Sequence, residues 1–156
     1  MKVIAFDLGK NFAHARNCTG GTIVTGLFIS EGDRAHRQGQ LMAYLTNLFE
    51  DLMRADPLDI VVYETPFARG RDATRSLWGI AGIIEACASN AGLPVIDVAV
   101  PTIKKFATGH GKACKEEMIV AAQKFGYRGG NEYGINEHEA DAVCLLRYAE
   151  ANLERA

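Results

Sequence analysis

The chain has 156 residues, 48% hydrophobic and 23% charged, the make-up of an ordinary globular protein, and a single domain over 1–156 with one core is expected. No run of about 18 apolar residues occurs, so no membrane-spanning helix is expected, and Asp7 breaks the apolar opening too early for a secretion signal. A net charge of −2 argues weakly against nucleic acid as a partner.

That charge is unevenly spread. Lys104, Lys105, Lys112 and Lys115 fall within 101–115, a stretch without an acid, and Arg69, Arg71 and Arg75 crowd another short segment. Such clusters are commonly plain solvated surface, but they bind phosphate locally whatever the total charge. Cys18, Cys87, Cys114 and Cys144 lie far apart with no CxxC pair, which disfavours a zinc site or a disulfide framework. Cys87 and Cys144 read as small core residues, and a reducing, cytoplasmic setting is expected.

The chain opens with a buried strand over 2–8, an alternating strand over 11–17 and, after the Gly20-Gly21 turn, a third over 22–30: an antiparallel meander. Leu41, Tyr44, Leu45, Leu48 and Leu52 recur at three- and four-residue spacing, which predicts a helix from about 34 to 54, stopped by Pro57. Residues 59–64 form a compact buried strand ended by Pro66. A helix over about 73–90 follows, with Leu77, Ile80, Ile84 and Ala88 on one side and Gly92 as its C-terminal stop. Then come a buried strand (94–100), a short helix from Thr102, a Gly-rich loop at 109–111 and a helix over about 115–125. The last helix starts at Asn136, with Glu139 placed as the partner of a capping box, and runs to about Leu153. Three antiparallel strands extended by parallel ones, with helices on the faces, make an α/β domain with a mixed five-stranded sheet.

Three acids occupy places where charge is costly. Asp7 and Glu64 end almost wholly apolar strands, and Asp141 lies among Ala140, Ala142 and Val143. Singly, a strand-end acid often caps a turn or pairs with lysine, and the early-helix acids Glu137 and Glu139 complement the helix dipole. Jointly, carboxylates meeting in one cleft repel unless a divalent cation neutralises them, and an all-oxygen set suits Mg²⁺ or Mn²⁺. Two such ions about 4 Å apart serve phosphodiester hydrolysis. His138 and Glu137 stand three and four residues before Asp141, so either could add a fourth ligand from the same helix face.

FDLG at the first strand, YETPF at the fourth, PTIKKFATGHGKACKEEM and NEHEADAVCLL together resemble the RuvC-type Holliday junction resolvases of the RNase H-like superfamily, in order, spacing and length. The resemblance implies an RNase H-like fold and a homodimer on four-way DNA making paired, Mg²⁺-dependent nicks, with two ions per site. It puts Asp7, Glu64, His138 and Asp141 on the metal positions, the usual first aspartate of the last motif being replaced here by His138. It gives Lys104 and Lys115 roles at the scissile phosphate, with Lys115 counted among the catalytic residues. Phe67 matches an aromatic that stacks on a base, though a core position is an equal reading of the residue. Arg69, Arg71, Arg75, Lys105 and Lys112 would then hold the DNA arms by their backbones. The 73–90 helix resembles the family's dimer helix; its Trp78, Gly79, Ala81 and Gly82 fit either a two-fold contact or packing on the sheet.

Competing readings are a branched or flap DNA endonuclease of broader taste, a ribosomal-RNA-processing relative, and a non-catalytic junction-binding module. A strand–Asp–Gly opening also starts actin-like ATPases, but 156 residues leave no room for their second lobe.

Overall fold

The computed structural model describes residues 1–67, 70–129 and 134–153. Five strands form one mixed sheet: β1 (Val3–Asp7), β2 (Asn11–Asn17), β3 (Ile23–Ile29), β4 (Ile60–Glu64) and β5 (Val95–Val98), in the order β3-β2-β1-β4-β5. The first three are antiparallel neighbours, and β4 and β5 extend the sheet in parallel, as the sequence predicts. Crossover helices return the chain to the same sheet edge each time: α1 (Arg34–Ala55) before β4 and α2 (Arg71–Asn90) before β5. The chain then adds α3 (Val100–Thr108), α4 (Lys115–Lys124) and α5 (Glu137–Asn152).

Strand alternation splits the core into two layers. Val3, Ala5, Ile60 and Val62 face α5, with α4 and α3 flanking it, while Ile4, Phe6, Phe12 and Val61 face α1 and α2. Helix α5 is sunk deep against the sheet, with Ala140, Ala142, Val143, Cys144 and Leu146 buried, so acids on its first two turns are carried into the interior. The alanines allow that approach.

Several expectations change in detail. Strand β5 is short and its Ile96 and Asp97 are exposed, because it ends the sheet instead of being covered on both faces. Helix α3 begins at Val100, two residues early, since Pro101 fits the first turn where no amide donor is needed. Helix α2 starts at Arg71, released by Gly70 at φ 100°. Phe49 is the core residue the leucine pattern of α1 omits. Asn136 does cap α5, accepting from the backbone N–H of His138 at 2.9 Å and of Glu139 at 3.3 Å. Glu139, however, does not reach back to complete a capping box. Its side chain is buried and accepts from the Tyr127 hydroxyl at 2.7 Å. A back-bonded glutamate occurs instead at α4, where the Cys114 N–H donates to Glu117 Oε2 at 2.8 Å.

The α2 face divides. Ile80, Ala81, Ile84, Cys87 and Ala88 pack inward, whereas Trp78 is half exposed, at 52%. Gly79 makes room for Gln38 of α1, since a Cβ there would meet that amide at 2.0 Å, while Gly82 faces open space. Cys87 and Cys144 are buried, as expected, and all four cysteines are free thiols. No helix among the described residues is long and apolar enough to cross a membrane.

Candidate active site

Parallel pairing sets the centre of the site. Phe6 stands opposite Tyr63, so the next step along β1 and β4 places Asp7 beside Glu64 at the carboxyl end of both strands. Their carboxyls hydrogen-bond each other, and the Leu8 N–H also donates to Glu64. Asp141, from the second turn of α5, faces the same narrow cleft, walled by Phe6, Ile103, Met118 and Leu145. The free space is about 30 Å³, room for water-sized occupants only.

Three carboxyls in a dry cleft resist ionising together. Burial pushes Glu64 up to about 9, with the charges of Asp7 and Asp141 adding to the rise. Burial and Asp7 push Asp141 up to about 7, against the pull of Lys104. Burial raises Asp7 as well, opposed by its hydrogen bond and charge contact with His138. Each acid is displaced toward neutrality by burial together with neighbouring charges, which makes the cleft the candidate site.

The side chain of His138 bridges two elements. Its Nδ1 lies 2.8 Å from Asp7 Oδ2, and its Nε2 lies 3.4 Å from the Asn11 side-chain amide nitrogen. With that amide donating to Nε2, Nδ1–H donates to Asp7. The hydrogen bond and charge of Asp7 raise the imidazole above its ordinary range. The rival fourth ligand, Glu137, pairs with Lys115, whose Nζ is 2.8 Å from its Oε1, and that same oxygen lies 3.7 Å from His138 Nε2. The contact with Lys115 also raises Lys115 and lowers Glu137. Among the described residues no group of three or more His, Cys, Asp or Glu stands in a geometry that could hold a metal ion as it is.

The two lysines singled out in the sequence therefore part company. Lys104 lines the acidic cleft and is tethered by a 2.7 Å hydrogen bond to the Ala113 carbonyl. Lys115 sits at the rim, mostly exposed, on Glu137. The stretch that lacks acids in sequence meets them in space: His110 also pairs with Glu117, at 3.0 Å. Lys105 and Lys112 are exposed, as are Arg71 and Arg75 on the first turns of α2. Phe67 is 80% exposed, which excludes the core reading. Arg69 lies outside the described residues.

Sequence reading missed Asn11. Its only signal is a polar side chain just past the Asp7-Leu8-Gly9 turn, and the β1–β2 pairing is what swings it back to His138.

No family model matches the chain. Among solved structures it is similar to Thermus thermophilus RuvC, at a TM-score of 0.69 and 22% identity over 97% of this chain and 96% of that one. It is likewise similar to T. thermophilus RuvC in complex with Holliday junction substrate, at 0.70 and 21% over 94% and 90%. The yeast mitochondrial Holliday junction resolvase Ydc2 follows at 0.55 and 13%, over 95% of this chain and 78% of that one. At those identities the likeness establishes the fold. Sequence relatives go further. The crossover junction endodeoxyribonuclease RuvC of Anaeromyxobacter dehalogenans is 32% identical over 127 residues, covering 80% of this chain and 64% of the relative. That of Nitratidesulfovibrio vulgaris is 33% identical over 117 residues, 74% of this chain and 68% of the relative. With a third of the residues shared over more than two thirds of such a relative, the chain belongs to the crossover junction endodeoxyribonuclease RuvC family.

Proposed function

We propose that this protein is a divalent-metal-dependent endonuclease that resolves four-way DNA junctions by paired, symmetric nicks. The observation that carries this reading is the convergence of Asp7, Glu64 and Asp141 in one cleft, with the Glu64 and Asp141 carboxyls pushed up to about 9 and 7. Protons are a weak substitute for a cation in such a set, and an all-oxygen cluster of this kind fits Mg²⁺, with Mn²⁺ as a substitute. Asp7, Glu64 and Asp141 would hold it, with His138 as the fourth ligand in preference to Glu137, which Lys115 occupies. When bound, a pair of such ions supplies activation of the attacking water and stabilisation of the leaving oxygen.

The remaining steps belong to the chain's own groups. Asp7 fixes the His138 ring through Nδ1 and leaves Nε2, beside Asn11, as the ring nitrogen that would serve as the ligand. Lys104, pinned by Ala113, presents a fixed positive charge to a phosphate at the cleft mouth. Lys115 would be released from Glu137 to a phosphate as the strand binds. Phe67, exposed on the loop after β4, would stack on a base where the junction opens. Arg71, Arg75, Lys105, Lys112 and Arg69 would grip the backbones without reading sequence. Two copies are needed for paired nicks; the half-exposed Trp78 on α2 supports that helix as the contact between them. A reducing cytoplasm would keep the four free thiols reduced.

The test is nicking of a synthetic four-way junction beside matched duplex and flap DNA, in Mg²⁺ and in EDTA, for wild type and Asp7→Asn. Junction-selective cuts that need Mg²⁺ and vanish in Asp7→Asn are expected. Equal cutting of flaps and duplex would instead identify a broader nuclease. Tight junction binding without cuts in Mg²⁺ or Mn²⁺ would identify a binding module.

A further inference from the structure

A second concavity lies across the sheet from the acidic cleft, where the starts of α1 and α2 stand apart over the β1–β2 turn. It holds about 250 Å³. Phe12 and Phe28 from the strands and Leu77 from α2 form its apolar walls, and Phe28 is itself stacked on Tyr44 at 4.6 Å. Among the described residues the charged ones lining it are Lys10, Arg34 and Arg37, and no acid does so. Arg37 donates to the Gly32 carbonyl at 2.7 Å, and none of the three makes an ion pair among the described residues. Nothing in the nuclease chemistry uses this place.

Its position relates it to the cleft. Lys10 follows Asp7 by three residues, in the turn that caps the strand end where the acids meet. Asp7 lines the cleft, whereas Gly9, Lys10 and Phe12, just beyond it in the chain, line the cavity. Only the short turn from Asp7 to Lys10, at most about 10 Å of chain, separates the two sites, a span that neighbouring nucleotides of one strand can bridge. An apolar-walled cavity whose charged lining residues are all cations is complementary to an aromatic ring that carries phosphate. The volume is below the usual range of small-molecule sites, which suits one base and not a larger cofactor. Gln38 and Ser76 supply polar groups within it for a base edge.

We propose that this cavity receives one unstacked base of the bound DNA strand, next to the phosphate in the acidic cleft, with Lys10 and Arg34 on the flanking backbone. This rests on the nuclease reading above. It would give the protein a local base preference that backbone contacts cannot supply.

The test is a binding cycle in EDTA, so that it does not depend on cutting. Four-way junctions carrying an abasic site at each position around the crossover are titrated with wild type and with Ser76→Trp, which fills the cavity. At one position, loss of the base should weaken wild-type binding roughly tenfold. Ser76→Trp should show that deficit on the intact junction and no further loss on the abasic one. Independent, additive losses would overturn the proposal, as would the absence of any sensitive position. A change of oligomeric state in Ser76→Trp without coupling to the base would assign the cavity to a contact between copies and equally overturn it. Should Ser76→Trp misfold, Gln38→Ala, which removes a polar group offered to the base edge, carries the same cycle: its deficit must shrink on the abasic junction. Wild-type nicking in Mg²⁺, scored separately, decides the nuclease reading; a protein that binds the junction through the cavity but never cuts would retain this inference and lose that one.

Discussion

His138 Nδ1 stands 2.8 Å from Asp7 Oδ2, joining the first strand to the last helix across 131 residues of chain. The bond places an imidazole where the acids gather, and it orients the ring so that Nε2 faces outward beside Asn11. Because Asp7 is buried and lies against Glu64 as well, one carboxylate organises both neighbours.

Replacing the charge at that hub should separate chemistry from binding. Asp7→Asn keeps the shape and removes the carboxylate. Nicking should fall by at least about a hundredfold, the scale of losing one preorganised electrostatic group. Junction affinity in EDTA should be unchanged or better, which a gel-shift titration reads directly.

Without metal, the same cluster is a source of instability. Glu64 is raised to about 9, above its unfolded value, so ionisation favours the unfolded chain at every pH above the ordinary carboxyl range. Glu64→Gln should therefore raise stability in EDTA by a few kcal/mol near pH 8, and the gain should fade as pH falls toward 4. Urea unfolding of both proteins across that range measures it.

Metal should act in the opposite sense. Saturation at about a hundred times Kd stabilises a folded protein by about 2.7 kcal/mol, several degrees of Tm for a domain this size. Mg²⁺ or Mn²⁺ should produce that shift in wild type but not in Asp141→Asn. The shift should be smaller below pH 7, where protons on Asp141 compete.

His14 supplies a pH response far from the cleft. Burial, with Arg16 adding to it, lowers the imidazole to about 4. Folded protein thus resists protonation that the unfolded chain accepts from about 6.5 downward, so stability is full above 6.5 and is lost as pH falls through 4. The whole effect is about 3 kcal/mol and should be missing from the difference curve of His14→Gln. Gly26 opposite it is equally constrained: a Cβ there would meet the ring at 2.4 Å, so Gly26→Ala should cost about 1–3 kcal/mol.

Phe67 should behave as a contact residue alone. At 80% exposure, Phe67→Ala should leave Tm within a degree or two. Junction affinity should fall roughly tenfold through lost stacking.

The strands, α1, α2 and the meander were legible because their apolar periods are long and their stops are Gly or Pro. The acids Asp7, Glu64 and Asp141 were legible because charge in an apolar run needs a reason. Glu139 shows the limit: its spacing from Asn136 fits a capping box, yet burial against Tyr127 offers a stronger partner than an exposed amide. Lys115 shows another, since its acid-free neighbourhood in sequence holds Glu137 in space.

By itself, then, the amino-acid order determined which segments pair and pack, and which carboxyls lie at their ends, because periodicity and turn chemistry are local. Only the tertiary structure decided that His138 rests on Asp7, that Lys104 enters the cleft while Lys115 stays at its rim, and that Phe67 faces solvent. Those outcomes depend on where separate elements converge and how much water they exclude, and neither quantity is written in the spacing of residues along the chain.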